Sequence, residues 1–124
     1  DAGKIYQSWP LMNDNFFPDD AQLKMLFSFD IFEIPSLIQF IHRNTAYFIF
    51  VIFLLIAITV FKNSELNYLR KIVSLIFFIL ILQITLGIIT LLSDVQIIFA
   101  SLHQVGSVAL AASSLILVFK NQKN

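Results

Sequence analysis

Three long apolar runs divide the chain. Ile34 to Phe61 is a stretch of 28 residues whose only formal charge is Arg43, Ile72 to Ser93 has 22 residues with none, and Val95 to Phe119 has 25 with none. Each is longer than the roughly 20 apolar residues that carry a helix across a bilayer. Backbone polar groups in hydrocarbon must bond within their own segment, so runs this continuous predict helices. The runs define spans at 35–61, 72–93 and 97–119, joined by a polar link at 62–71 ("KNSELNYLRK") and a tight turn at 94–96 within "SDVQ". The turn makes the second and third spans an antiparallel hairpin. The segment 1–34 is no fourth span, because acids and Pro10, Pro18 and Pro35 interrupt its apolar residues. Its aromatic residues Trp9, Phe16, Phe17, Phe27 and Phe29 suit a flap at a membrane surface, where aromatic rings concentrate. Pro35 followed by Ser36 reads as the start of the first helix.

Composition supports hydrocarbon as the main solvent. The 124 residues are 58% hydrophobic and 13% charged, with 14 Phe, where a soluble domain carries about 25% charged residues. The formal net charge of zero, with no basic patch beyond the ends of the apolar runs, gives no nucleic-acid signature. Without cysteine there is neither a disulfide framework nor a thiolate metal site. The opening Asp1, with no basic stretch behind it, reads as a cut through a longer protein. Charge at the span ends orients the chain. Lys62, Arg70 and Lys71 lie in the link, and Lys120 and Lys123 in the tail 120–124. Residues 1–34 set only Lys4 and Lys24 against Asp1, Asp14, Asp19, Asp20, Asp30 and Glu33. The link and tail are therefore expected on the cytoplasmic side, and the leading segment and the 94–96 turn outside.

The chemistry rests on the two histidines of the chain. His42 lies seven positions beyond Pro35, and His103 seven beyond Gln96. At 1.5 Å per residue both imidazoles sit roughly 10 Å below the same membrane edge, on parallel helices. A porphyrin iron with two axial imidazoles needs this placement, and neutral imidazole brings no charge into lipid. Small residues Gly106, Ser107 and Ser114 lie on or beside the His103 face, and Gln39, Thr45 and Ala46 flank His42 at helical spacing. Gln83, Gly87 and Thr90 recur at i, i+4 and i+7 on the middle span. Arg43 has two partners within reach: a heme propionate, or Glu33 and the headgroups by snorkelling. Simpler roles stay open. Membrane histidines also bond helix to helix, small stripes pack helices together, and the Gln83 stripe reads most simply as such a contact. There is no Gly-rich phosphate loop, Ser/His/Asp set or HExxH motif, and the acids nearest membrane depth, Glu33 and Asp94, lie at the outer rim. Redox chemistry on a bound heme is the reaction class such a bundle supports.

Four stretches, "DAGKIYQSWPLM" at 1–12, "SLIQFIHRNTAY" at 36–47, "LQITLGIITLL" at 82–92 and "ASLHQVGSVAL" at 100–110, together resemble the C-terminal half of the heme A synthases. The HR and HQ dipeptides about sixty residues apart are the most specific element. The resemblance implies an all-α integral membrane protein whose three helices form part of a four-helix heme-binding bundle, preceded by an extracytoplasmic loop. It implies a multi-pass enzyme of a bacterial inner membrane, or of the mitochondrial inner membrane in a eukaryote. Such enzymes oxidise a methyl group of heme O to the formyl group of heme A. By position, His42 and His103 would be the axial ligands of a heme b cofactor that relays electrons, and Arg43 would belong to the same cofactor site. Gln39 stands where the other half of these enzymes carries a glutamate. No catalytic residue is therefore expected in this chain, which is expected to be inactive alone. Heme O in the other half, the lipid bilayer, and heme O synthase or oxidase-assembly proteins are the implied partners. A cytochrome b-type heme-binding anchor of a respiratory dehydrogenase is the alternative, and a structural membrane protein with packing histidines a third reading.

Overall fold

The computed structural model describes residues 2–122, so Asp1 and Lys123 of the charge balance lie outside the described residues, as does the side chain of Asp30. Three α-helices dominate: α1 spans Pro35–Lys62, α2 Arg70–Leu92 and α3 Ile97–Gln122. Short 3-10 turns lie at Ala2–Lys4, Leu23–Phe27, Phe29–Phe32 and Ser64–Leu69, and no strand occurs among the described residues. All three long helices are long and apolar enough to cross a membrane. At 28 residues α1 extends about 42 Å, more than the roughly 30 Å of hydrocarbon.

Pro35 opens α1, where its fixed φ and missing N–H cost nothing. Asn63 closes that helix and caps the next turn, its side chain accepting the Glu65 N–H at 3.0 Å. Helix α2 is the spine: it packs along α3 and, less extensively, along α1, while α1 and α3 scarcely meet. Val60, Leu69, Ile72, Val73 and Ile76 form a buried cluster at the end away from the histidines. Elsewhere the outward faces are apolar, with Phe48, Val51, Leu55, Phe78, Leu82 and Leu115 exposed. A surface of that kind is stable against hydrocarbon and not against water.

The leading segment is more structured than a surface flap. Tyr6, Met12 and Pro18 are buried, and Phe16 and Phe17 pack edge-on against Phe40 of α1. The Tyr6 hydroxyl donates to Asp20 at 3.0 Å and accepts the Asp19 N–H at 3.1 Å. Burial, and after it the bond to Asp20, push the Tyr6 phenol above its ordinary pKa. Leu23, Phe27, Phe29 and Phe32 stand most exposed, and Ile5, Trp9, Leu11 and Phe16 are exposed as well. Alternating acids and aromatics fit a surface segment equally with a folded strap, which is why the sequence does not separate the two.

The α2–α3 turn holds Asp94 and Val95 at φ 57° and 55°. A β-branched residue in the left-handed region is strained. Val95→Asn should therefore stabilise the fold by about 1 kcal/mol, read as a higher thermal midpoint. A lower midpoint would mean that the Val95 side chain, which lies close to Gly3, contributes more through contact than the backbone loses.

Candidate functional site

A cleft opens between the three helices near the turn, with a cavity volume of about 200 Å³. That is smaller than the roughly 300–1,000 Å³ of closed ligand pockets, and the cleft is open on one side. Helix α1 contributes Gln39, His42, Arg43 and Ala46, spaced i, i+3, i+4 and i+7, so that one face of α1 lines the cleft. Helix α2 contributes Gln83, Ile84, Gly87, Ile88 and Leu91 on one face, and α3 contributes His103. Gly3 and Trp9 from the leading segment and Val95 from the turn form the roof.

The structure brings the two histidines together across this cleft. Their ring centroids are 6.2 Å apart, with ring planes at 78°. Two metal–nitrogen bonds of about 2 Å, with about 1 Å more from each nitrogen to its ring centre, put a trans imidazole pair roughly 6 Å apart. The separation therefore fits one metal ion between the rings. Among the described residues no three His, Asp or Glu side chains converge on a common point. An ion here would need its other ligands from elsewhere, as a porphyrin supplies them.

The rings differ in how they are held. His103 Nδ1 lies 3.1 Å from the Gln83 carbonyl oxygen. A carbonyl only accepts, so Nδ1 carries the hydrogen and Nε2 keeps its lone pair free for a metal. Metal-binding histidines are usually oriented in this way. The Gln83 side chain completes the pair, its Nε2 donating to the His103 carbonyl at 2.8 Å. Among the described residues no group hydrogen-bonds the His42 ring, which leaves both its nitrogens available.

Arg43 answers to the leading segment. Its Nη1 donates to the Leu11 carbonyl at 3.0 Å and the Pro10 carbonyl at 3.4 Å, and its Nη2 to the Tyr6 carbonyl at 3.2 Å. Glu33 is not among these partners, because the folded strap brings three carbonyls directly over the guanidinium. They offset the cost of a cation at this depth. Its Nε is buried without a hydrogen-bond partner, and Arg43 is among the residues lining the cleft. Gln39 is committed to the same strap: it accepts the Tyr6 N–H at 3.2 Å and donates to the Tyr6 carbonyl at 2.8 Å. A side-chain amide thus pairs with a backbone peptide as a neighbouring strand would. Gln7 and Asp94 tie the strap to the α2–α3 turn.

Of the other flagged residues, Thr90 lines the cleft while its hydroxyl donates to the Leu86 carbonyl. Ser107 and Ser114 bond back into their own helix. Tyr6 and the target of Gln83 are not visible in the sequence. The stripe Gln83–Gly87–Thr90 is legible there, but only the α2–α3 register aims it at His103.

The sequence profile of the cytochrome oxidase assembly protein family (COX15-CtaA) matches residues 1–115. A heme A synthase of Pelagibacter ubique is 42% identical over 121 residues, 98% of this chain and 35% of the relative. That of Bartonella tribocorum is 43% identical over 103 residues, 83% of this chain and 29% of the relative. That of Rickettsia prowazekii is 37% identical over 125 residues, 98% of this chain and 36% of the relative. The chain therefore spans about a third of the length of these curated relatives. No solved structure matches it significantly.

Proposed function

The chain belongs to the cytochrome oxidase assembly protein family that includes the heme A synthases, and from that premise we propose that it is the cofactor-holding, C-terminal part of such an oxidoreductase. It is an integral membrane protein of three long apolar helices. In the proposed reading these helices form part of a four-helix bundle, with the leading segment and the α2–α3 turn outside and the 62–71 link and tail on the cytoplasmic side. His42 and His103 would hold the iron of a b-type heme. When bound, the heme supplies reversible one-electron transfer for oxidising the heme O methyl group to the formyl of heme A in the remainder of the enzyme.

The observation that carries this reading is the 6.2 Å separation of the two imidazoles across an apolar cleft. The chain's own residues then have distinct tasks. His103 offers Nε2 because its Nδ1–H is engaged by the Gln83 carbonyl. Gly87 lets that ring lie against α2, since a Cβ there would stand 3.0 Å from His103 Cε1. Arg43 holds the strap with its terminal nitrogens and, as a residue of the cleft lining, would lie beside a propionate of the bound group. Trp9 and Val95 limit the access of water from above. Gln39 has both ends of its amide committed to Tyr6 and has no proton-accepting group to offer, so the oxidation itself falls to the other half.

A reduced-minus-oxidised visible spectrum of the chain purified from membranes tests the proposal. The expected result is a low-spin b-type signal. A colourless preparation, both of this chain and of this chain joined behind the N-terminal part of a full-length relative, would refute it.

A further inference from the structure

We infer that Gln83 is the positioning residue for the His103 ligand, a role that rests on the bis-histidine reading and extends it to the helix behind the ring. Gln83 and His103 hold each other reciprocally. The ring of one donates to the backbone carbonyl of the other at 3.1 Å, and the amide of the other donates back at 2.8 Å. Two bonds running in opposite senses between the same two residues fix both the height of α3 against α2 and the rotation of the imidazole. A single bond leaves the ring free to turn about it.

The local sequence is built around this exchange. Each helix places a glycine where the other helix's polar side chain arrives. On α2, Gly87 seats the His103 ring. On α3, Gly106 seats the Gln83 amide: a Cβ there would stand 2.9 Å from Gln83 Cδ and collide with Oε1. Oε1 is buried without a hydrogen-bond partner, an unfavourable state for an amide oxygen. Flipping the amide would not relieve it, because Oε1 would then face the His103 carbonyl, acceptor against acceptor. The orphaned oxygen is thus the consequence of turning the NH₂ toward His103.

The imidazole consequence is electronic as well as geometric. A firm Nδ1–H···O=C bond raises the basicity of the ligating nitrogen and so favours oxidised iron. Loosening it should raise the midpoint potential.

The test uses the full chain, wild type beside Gln83→Leu and Gly106→Ala, with hemin as the added ligand. Gly106→Ala displaces the Gln83 amide while leaving both bonded residues in place. Hemin retention, the midpoint potential from a redox titration, and the g-values of the low-spin ferric signal are measured, with helix content followed by circular dichroism. The expected result for both variants is unchanged helix content, hemin retention weaker by about tenfold, a higher midpoint potential and broadened g-values. If wild type takes up hemin and both variants share its potential and g-values, Gln83 is packing only and the inference fails. If wild type takes up no hemin alone, the three forms are compared joined behind the N-terminal part of a full-length relative; if wild type then still takes up none, the bis-histidine reading fails, and this inference with it.

Discussion

On the proposed heme reading, His42→Ala or His103→Ala is expected to convert a low-spin b-type spectrum to a high-spin one and to lower retained heme by more than tenfold. The magnitude follows from the rank of the contact. Removing an outer partner of a metal ligand typically costs about 10- to 100-fold in affinity, and removing the ligand itself costs more. In this chain no nearby side chain can substitute, since no third His, Asp or Glu converges on the cleft among the described residues. Stability should follow occupancy. A ligand present at about a hundred times its dissociation constant adds about 2.7 kcal/mol to the folded state, and a site weakened tenfold keeps only about half of that, so both variants should melt below loaded wild type and closer to unloaded wild type. Were the histidines only helix-to-helix partners, neither wild type nor variant would show a Soret band. Alanine would then cost about 1 kcal/mol of packing, whatever the heme supply.

Gln39→Leu frees the leading segment. Gln39 is buried at 6% exposure and satisfies both the N–H and the carbonyl of Tyr6. Leucine fills similar space but leaves the N–H unpaired in a buried place, at a cost of about 2 kcal/mol. The open population of the strap then rises about thirtyfold, read as faster protease cleavage within residues 5–20 or faster amide exchange at Tyr6. Arg43→Leu should open it too, through three carbonyls losing their donors. The two variants are coupled. Each single change leaves the Tyr6 carbonyl one remaining donor, whereas the double change leaves none, so it should exceed the sum. Unaltered cleavage and exchange in Gln39→Leu would show that the aromatic contacts of Phe16 and Phe17 with Phe40 hold the strap by themselves.

The helices were legible in the sequence because a bilayer imposes one solution on a long uncharged run. His42 and His103 stood out for the same reason: rise per residue turns equal spacing from a span end into equal depth. What a single helix cannot reveal is what another element brings to it. Arg43 has Glu33 as its nearest acid in sequence, yet its guanidinium meets the Tyr6, Pro10 and Leu11 carbonyls, which only the folding of an irregular segment delivers. Gln39 reads as a flank of His42, and its partner lies 33 residues away in a stretch without periodicity. The tie between Gln83 and His103 depends on the register of two helices, which composition does not encode. Leu23, Phe27, Phe29 and Phe32 remain exposed and keep the surface character expected of the whole leading segment, whereas Tyr6 and Met12 do not.

The placement of the two histidines also sets a timetable. His42 lies on α1 and His103 on α3, and these helices rest on α2 and scarcely on each other. A ribosome makes α1 first and α3 last. Until α3 has emerged and folded back along α2, the growing chain presents a single imidazole in an open trough. On the heme reading, cofactor loading therefore waits for a chain whose third helix is in place. A protein interrupted anywhere before residue 103 cannot trap the porphyrin between two ligands, and loading doubles as a check that synthesis has run through the third helix.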